Sequence, residues 1–427
     1  MNRKLGRNLS FNALQLMLNQ LCGLIIFYVL SAHLDKNAFG QLNLALAVLL
    51  AVFNILSLGI DQLMIKRIAA GEAAGSGLSL YVCHVLIAGL SFYGLLLLSG
   101  YFFLETVTYQ LILLIGIGKL MIFFSTPFKQ IASGMERFKL LACMSVVSNM
   151  VRCVCLLVFV LLHLLSLKVI VCICIAGDVC ELLLCFFLFR QSVKLPLLIR
   201  WDRLAYVQLL REALPQAGVV VITSALARFD WIFIGFMLSA VKLAEYSFAY
   251  KVFEIATFPL LAIAPLLIPL FTRLLQQEPI NGAKLRFLLK LEIGIALLIA
   301  LLLNICWVPL VDMLTSDKYG SVNQQTIFIL SLVMPLLYVN NFLWTISFVQ
   351  GRLKMILRSF LLTLLVNIAG DIVLIPLYHN EGAAAAFLLA TLTQTIFYIK
   401  NNTIQELRFG WQPFGQPVRN HDGLKKK

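Results

Sequence analysis

Residues 41–70 read QLNLALAVLLAVFNILSLGIDQLMIKRIAA. From Leu42 to Met64 this stretch carries one charge, Asp61, and it then meets Lys66 and Arg67. A helix of about twenty apolar residues crosses the ~30 Å hydrocarbon core of a bilayer, and a basic pair beyond it marks the side on which it stops. The stretch therefore reads as a membrane-spanning helix, and the rest of the chain repeats its pattern.

Hydrophobic residues make up 61% of the 427 positions and charged residues 13%, against roughly 25% charge in a water-soluble domain. Working outward from 41–64, about twelve apolar runs of spanning length appear, at 10–33, 41–64, 78–100, 108–128, 140–163, 167–189, 214–238, 244–270, 287–311, 325–349, 356–376 and 382–400. The gaps after even-numbered spans hold most basic residues, among them Lys66, Arg67, Lys129, Arg137, Arg190, Arg211, Arg273, Arg352 and Arg358; the opposite gaps hold little beyond Lys36, Lys168, Lys242 and Lys318. The positive-inside rule then predicts an all-α membrane protein with both termini in the cytoplasm. The net charge of +14 reads as topology. A nucleic-acid surface would gather its cations on one folded face, so no such partner is expected. The first run follows Arg3, Lys4 and Arg7 but is longer than a signal h-region, and it reads as a permanent helix. Ten cysteines lie in apolar runs without the spacing of a metal or redox site.

The longest interior connection divides the spans six and six. We expect a lobe at 1–190, an interfacial linker at 191–213 with Leu195, Leu198, Trp201, Leu204 and Leu209 on one side, a second lobe at 214–402, and a basic tail at 403–427. An internal echo supports the division: Leu30-Ser31-Ala32 leads to Gly40-Gln41-Leu42-Asn43-Leu44-Ala45, and Leu238-Ser239-Ala240 leads to Ala244-Glu245-Tyr246-Ser247-Phe248-Ala249. Two halves of equal orientation place a site at their interface. No external loop is long enough to assemble catalytic acids, the longest being 312–324. Gly116-Ile117-Gly118-Lys119 lacks the spacing of a phosphate-binding loop, so no nucleotide motor is built in.

Polar residues inside the apolar runs carry the functional information, since a charge at mid-bilayer costs about 2.5–3.5 kcal/mol and requires a partner or water. Asn43, Asn54, Ser57 and Asp61 form one stripe on span two, and Asn8, Asn12, Gln15 and Asn19 form another on span one. Such stripes either line a hydrated path for sugar hydroxyls or bond helix to helix. Arg152 on span five matches Asp178 on span six in depth, with Glu181 one turn on. Spans seven and eight offer Asp230 opposite Lys251 and Arg228 opposite Glu254, while Lys119 has no acid on the neighbouring span three. Lys119, Arg152, Arg228 and Lys251 are candidate anion contacts; Asp178, Glu181, Asp230, Glu254 and Asp61 are candidates for ion pairing or for coupling to a proton or sodium ion.

Asn12 to Gln20, Ala38-Phe39-Gly40-Gln41-Leu42-Asn43-Leu44-Ala45, Leu58-Gly59-Ile60-Asp61, Lys66-Arg67-Ile68-Ala69, Gly134-Met135-Glu136-Arg137-Phe138 and Ala244-Glu245-Tyr246-Ser247 together resemble the O-antigen type polysaccharide flippases of the multidrug/oligosaccharidyl-lipid/polysaccharide exporter superfamily. The resemblance implies two six-helix lobes around a cationic cavity, alternating access, and movement of undecaprenyl-pyrophosphate-linked oligosaccharide to the periplasmic side of the bacterial inner membrane. It implies head-group contacts at Arg228 and Lys251, no cofactor beyond a coupling proton or sodium ion, a monomer among membrane lipids, and association with polysaccharide polymerase machinery. Span one lacks the arginine that lipid II flippases place there, and Ala244 stands where a glycine often precedes the Tyr-Ser turn. Two rival readings are an ion-coupled multidrug antiporter of the same superfamily, which would want a net acidic cavity, and a membrane polymerase or glycosyltransferase, which would want acids on a large external loop.

Overall fold

The computed structural model describes residues 3–401 apart from 72–73, 104–105, 194–200 and 276–281. Helices account for nearly all of it: α1 (Arg3–His33), α2 (Lys36–Leu56), α3 (Ile60–Ala69), α4 (Ala74–Phe103), α5 (Val107–Gly134), α6 (Phe138–Leu161), α7 (Leu167–Val193), α8 (Arg203–Met237), α9 (Ala240–Ala256), α10 (Phe258–Leu275), α11 (Gly282–Thr315), α12 (Gln324–Val349) and α13 (Leu353–Asn401). Among the described residues, ten helices are long and apolar enough to cross a membrane. Counting α9 and α10 as one broken crossing and the two arms of α13 separately brings the crossings to twelve.

Two of the runs expected to be continuous are broken. The run 41–64 divides at 57–59, where Leu58 and Gly59 take left-handed backbone angles (φ 49° and 71°); for a leucine this conformation costs about 1–2 kcal/mol. The run 244–270 divides at Thr257, two residues before Pro259, whose ring and missing N–H interrupt the helical ladder. Each lobe therefore has a broken second crossing. The last element is a hairpin rather than one rod. His379 leaves helical angles (φ 54°, ψ −124°), and a β-carbon on Gly382 would lie 2.1 Å from the Leu374 carbonyl oxygen, so only glycine lets the second arm fold back this closely. Residues 203–213, expected in an interfacial linker, are the opening turns of α8, capped by Asp202, whose side chain accepts from the amides of Leu204 and Ala205. Residues 194–200 of that linker and the tail beyond 401 lie outside the described residues.

Helices α1, α2 and α4–α7 pack together as one lobe and α8–α13 as the other, with α2 and α3 laid against α8 and α9 between them. The start of α1 at Arg3 and the end of α13 at Asn401, the first and last described residues, lie on one face, called here the terminal face. On the opposite face the lobes are fastened together. Lys36 Nζ bonds Glu245 Oε1 at 2.7 Å, Lys242 reaches the other oxygen at 3.2 Å, and Tyr28 donates to the Leu314 carbonyl at 3.2 Å. Lys318 donates to the carbonyls of Ser31 and Leu34 at the end of α1; burial lowers the pKa of its ammonium group. Phe248 stacks on Tyr319 at 4.4 Å. Gly40 meets α9 so closely that a β-carbon there would lie 1.7 Å from the Ala240 oxygen. Asn43 donates to Ser247 Oγ at 3.0 Å, and these two residues occupy the same position in the two copies of the internal echo. This contact joins α2 to α9 at the seam between the lobes.

Candidate functional site

In the first lobe the ionisable groups converge. Asp178 and Glu181 are three residues apart on α7 and share one helix face, which turns toward α5 and α6. Asp178, fully buried, bonds Arg152 of α6, accepts from Ser148 Oγ at 2.7 Å and lies 3.9 Å from Lys119 Nζ of α5. Lys119 thus takes its acid from a helix remote in sequence. Glu181 pairs with Lys129 Nζ at 2.6 Å. Asp61, expected on a continuous span two, sits instead in the first turn of α3 and accepts from Tyr81 of α4. His84, one turn further along α4, bonds the Leu56 carbonyl freed by the break at 2.9 Å. The polar residues of the break are therefore held by α4.

The amide stripes have mixed surroundings. Asn43 is buried against α9 and bonds it, as described above. Asn54 is exposed. Asn19 accepts from Asn149 of α6 at 2.9 Å, and Gln15 buries its side-chain oxygen without a donor among the described residues. The side chains of Asn8 and Asn12 lie outside the described residues.

In the second lobe the ionisable groups do not converge in the expected pairs. Lys251 does not reach Asp230, and Arg228 does not pair with Glu254: Lys251 bonds Glu254 at 2.7 Å, one turn along its own helix. Matching depth on two helices fixes height but not rotation, and a local i,i+3 partner is available at little entropic cost. Asp230 is buried on α8 and accepts from Tyr246 Oη of α9 at 2.7 Å and from the Trp231 amide at 2.8 Å. Arg228, half-buried, holds its guanidinium 4.6 Å from the centre of the Trp231 ring and donates to the Ala227 carbonyl at 3.0 Å; no carboxylate lies within 4.0 Å of it among the described residues. Asp230 lies within electrostatic range of this guanidinium but does not bond it, so the cation keeps donors for a further anion.

Two buried acids and one half-buried cation were not picked out from the sequence. Asp371 of α13, fully buried, accepts from Asn367 at 3.0 Å, leaves its other oxygen without a donor among the described residues, and lies within electrostatic range of Asp230. Glu292 of α11 is buried with one oxygen likewise unmatched. Lys129, read as a loop cation, is the partner of Glu181. The signal for Asp371 was present: Ser359, Thr363, Asn367 and Asp371 recur every four residues, a polar helix face of the kind that drew notice to span two, and all four are buried.

Fold and site together define a multi-pass helical membrane protein whose helices pack as two lobes. The profile of the family described as "Polysaccharide biosynthesis protein" matches residues 5–275, and the chain belongs to that family. Comparison with curated proteins returns no match. Solved structures share the fold. The lipid II flippase MurJ in an inward closed conformation aligns over 91% of this chain and 86% of its own at 12% identity, TM-score 0.73. A multidrug resistance MATE transporter of the MOP superfamily, inward-facing, aligns over 91% and 97% at 12% identity, TM-score 0.72. A MOP superfamily transporter from Pyrococcus furiosus, described by a reversed polarity of its binding pocket, aligns over 93% and 94% at 12% identity, TM-score 0.62.

Proposed function

We propose that this chain is a flippase that carries undecaprenyl-pyrophosphate-linked oligosaccharide, a repeat unit of O-antigen, capsule or exopolysaccharide, from the cytoplasmic to the periplasmic leaflet of the bacterial inner membrane. Family membership and the shared fold support a transporter of this kind. The observation that carries the choice of an anionic head group is Arg228, poised on Trp231 without a carboxylate. The pyrophosphate bonds this guanidinium, and Lys251, partly neutralised by Glu254, is a second and weaker contact. The terminal face, rich in Lys and Arg, is the cytoplasmic one in this reading. The face fastened by Lys36, Glu245 and Lys318 is periplasmic, and substrate enters from the cytoplasmic side while that fastening holds.

Transport by alternating access needs an input that binds the two lobe arrangements unequally. Asp230 and Asp371 supply it: two carboxylates within electrostatic range repel, and a proton or sodium ion taken up between them relieves the repulsion. Occupancy then biases how α8 and α13 sit against one another and, through Tyr246, how α9 sits against α2. No covalent chemistry is required. The chain acts as a monomer among membrane lipids and delivers its cargo to polymerase machinery. A second reading, ion-coupled export of cationic drugs, is favoured by Asp230, Asp371 and Glu292, none of which bonds a cation among the described residues.

The test is surface polysaccharide in a flippase-deficient strain rescued by this chain. Arg228→Ala is expected to reduce export at least tenfold at unchanged protein level. Full export by that variant would remove the head-group assignment, and rescue of drug resistance without rescue of polysaccharide would favour the second reading.

A further inference from the structure

On the terminal face, between the first turns of α13 and its last, lies a cavity of about 670 Å³. The hairpin of α13 brings together residues 49 positions apart, and Arg352 Nη1 donates to the Asn401 carbonyl at 2.6 Å across the rim. The lining divides by chemistry. Arg352, Lys354 and Arg358 contribute three positive charges, Met355 and Phe397 contribute an apolar floor, and no acid takes part. Lys354 and Arg358 are exposed, stand one turn apart on the same side of the helix, and have no carboxylate within 4.0 Å among the described residues. Because α13 begins here, the positive end of its dipole adds to the field. Along the next two turns Leu357 and Leu361 are exposed, continuing the apolar surface toward the bilayer.

We propose that this cavity binds the head group of an anionic phospholipid, with its phosphate between Lys354 and Arg358 and an acyl chain along Leu357 and Leu361. Positive charge on this face is what topology alone requires, but topology requires neither a cavity nor an apolar floor beneath unpaired cations. A free phosphate ion would satisfy the cations and leave Phe397, Met355 and the leucine row uncovered, whereas a lipid covers both. Basic pockets between helices at a membrane boundary select anionic head groups for this reason. The site uses none of the residues of the Arg228 and Asp230 cluster, so it stands or falls independently of the transported substrate.

The full-length protein in neutral detergent is titrated with phosphatidylglycerol and with phosphatidylcholine, and bound lipid is read by native mass spectrometry. The expected result is one retained phosphatidylglycerol, preferred about tenfold over phosphatidylcholine and resistant to millimolar inorganic phosphate. Lys354→Gln with Arg358→Gln should lower this retention about tenfold at an unchanged melting temperature, Lys354→Arg with Arg358→Lys should keep it, and Lys139→Gln with Arg190→Gln, exposed cations of the same face in the other lobe, should leave it unaltered. Equal loss in that last variant would reduce the site to general surface charge. Complete displacement by phosphate would make it a free-anion site, and the absence of any head-group preference in the wild-type protein would overturn the proposal without recourse to variants.

Discussion

The acids in the interior of the two lobes are held in different ways. In the first, Asp178 holds Arg152 and Lys119, and Glu181 holds Lys129, so both acids of α7 have their cations. In the second, Asp230 is bonded by a tyrosine and a backbone amide, Asp371 by an asparagine, Glu292 has an unmatched oxygen, and Arg228 rests on an aromatic ring. A neutralised cluster resists change in occupancy, since removing either partner strands the other. Carboxylates held only by neutral donors can gain or lose a cation without stranding anything. In the proposed mechanism this difference gives the first lobe a structural part and the second the part that responds to ions and anions.

The largest effect is expected where a pair is split. Asp178→Ala leaves two cations in the lobe interior, and losing one partner of a buried pair costs about 3–5 kcal/mol; the folded yield of this variant in membranes should fall severely, as read by size-exclusion of the detergent-solubilised protein. A stable Asp178→Ala protein would erase the contrast between the lobes. Asp371→Asn should behave in the opposite way. Its folded yield and melting temperature should be retained, while transport should lose its response to an imposed proton or sodium gradient. The same substitution at Asp230 sharpens the comparison, because a variant that still follows the gradient would exclude Asp230 from coupling.

Gly40→Val tests the fastening of the face opposite the terminal one. With a β-carbon that close to the Ala240 oxygen, α2 and α9 must part by more than 1 Å to reach ordinary contact distance, so a cysteine pair placed across Ser31 and Lys318 should cross-link more slowly than in the parent. Unchanged cross-linking would mean that the close approach has no bearing on closure. Lys251→Ala should have the smallest effect. Its bond to Glu254 is a same-helix pair worth about 0.2–0.5 kcal/mol, and export should fall about threefold, well short of the loss at Arg228. An equal loss at both positions would make Lys251 a full partner in head-group binding.

Much of the fold was legible because lipid imposes a simple code. Apolar runs gave the crossings, and the two short stretches around Asn43 and Ser247 that echo each other in sequence meet in the structure. The helix breaks were not legible from hydropathy, which measures transfer and not backbone angle; Pro259 was a local signal for one break, and Leu58-Gly59 offered only a glycine for the other. Depth along a span put Arg152 level with Asp178, which the fold pairs, but it could not supply rotation about the helix axis. Asp230 and Lys251 accordingly matched in depth and do not meet. Asp371 was missed because attention to paired charges passed over an acid whose neighbours every four residues are neutral, although those neighbours traced the buried face on which it lies.

Reconstitution measures directly the proposed passage of a pyrophosphate-linked sugar past Arg228 of the second lobe. Liposomes containing the purified chain and a fluorescent polyprenyl-pyrophosphate oligosaccharide are assayed for the substrate's exposure to an external glycosidase under an ion gradient. Gradient-dependent exposure in the wild-type protein, reduced at least tenfold by Arg228→Ala, is the predicted result. Exposure at the rate of protein-free liposomes, or transport undiminished by the variant, would contradict it.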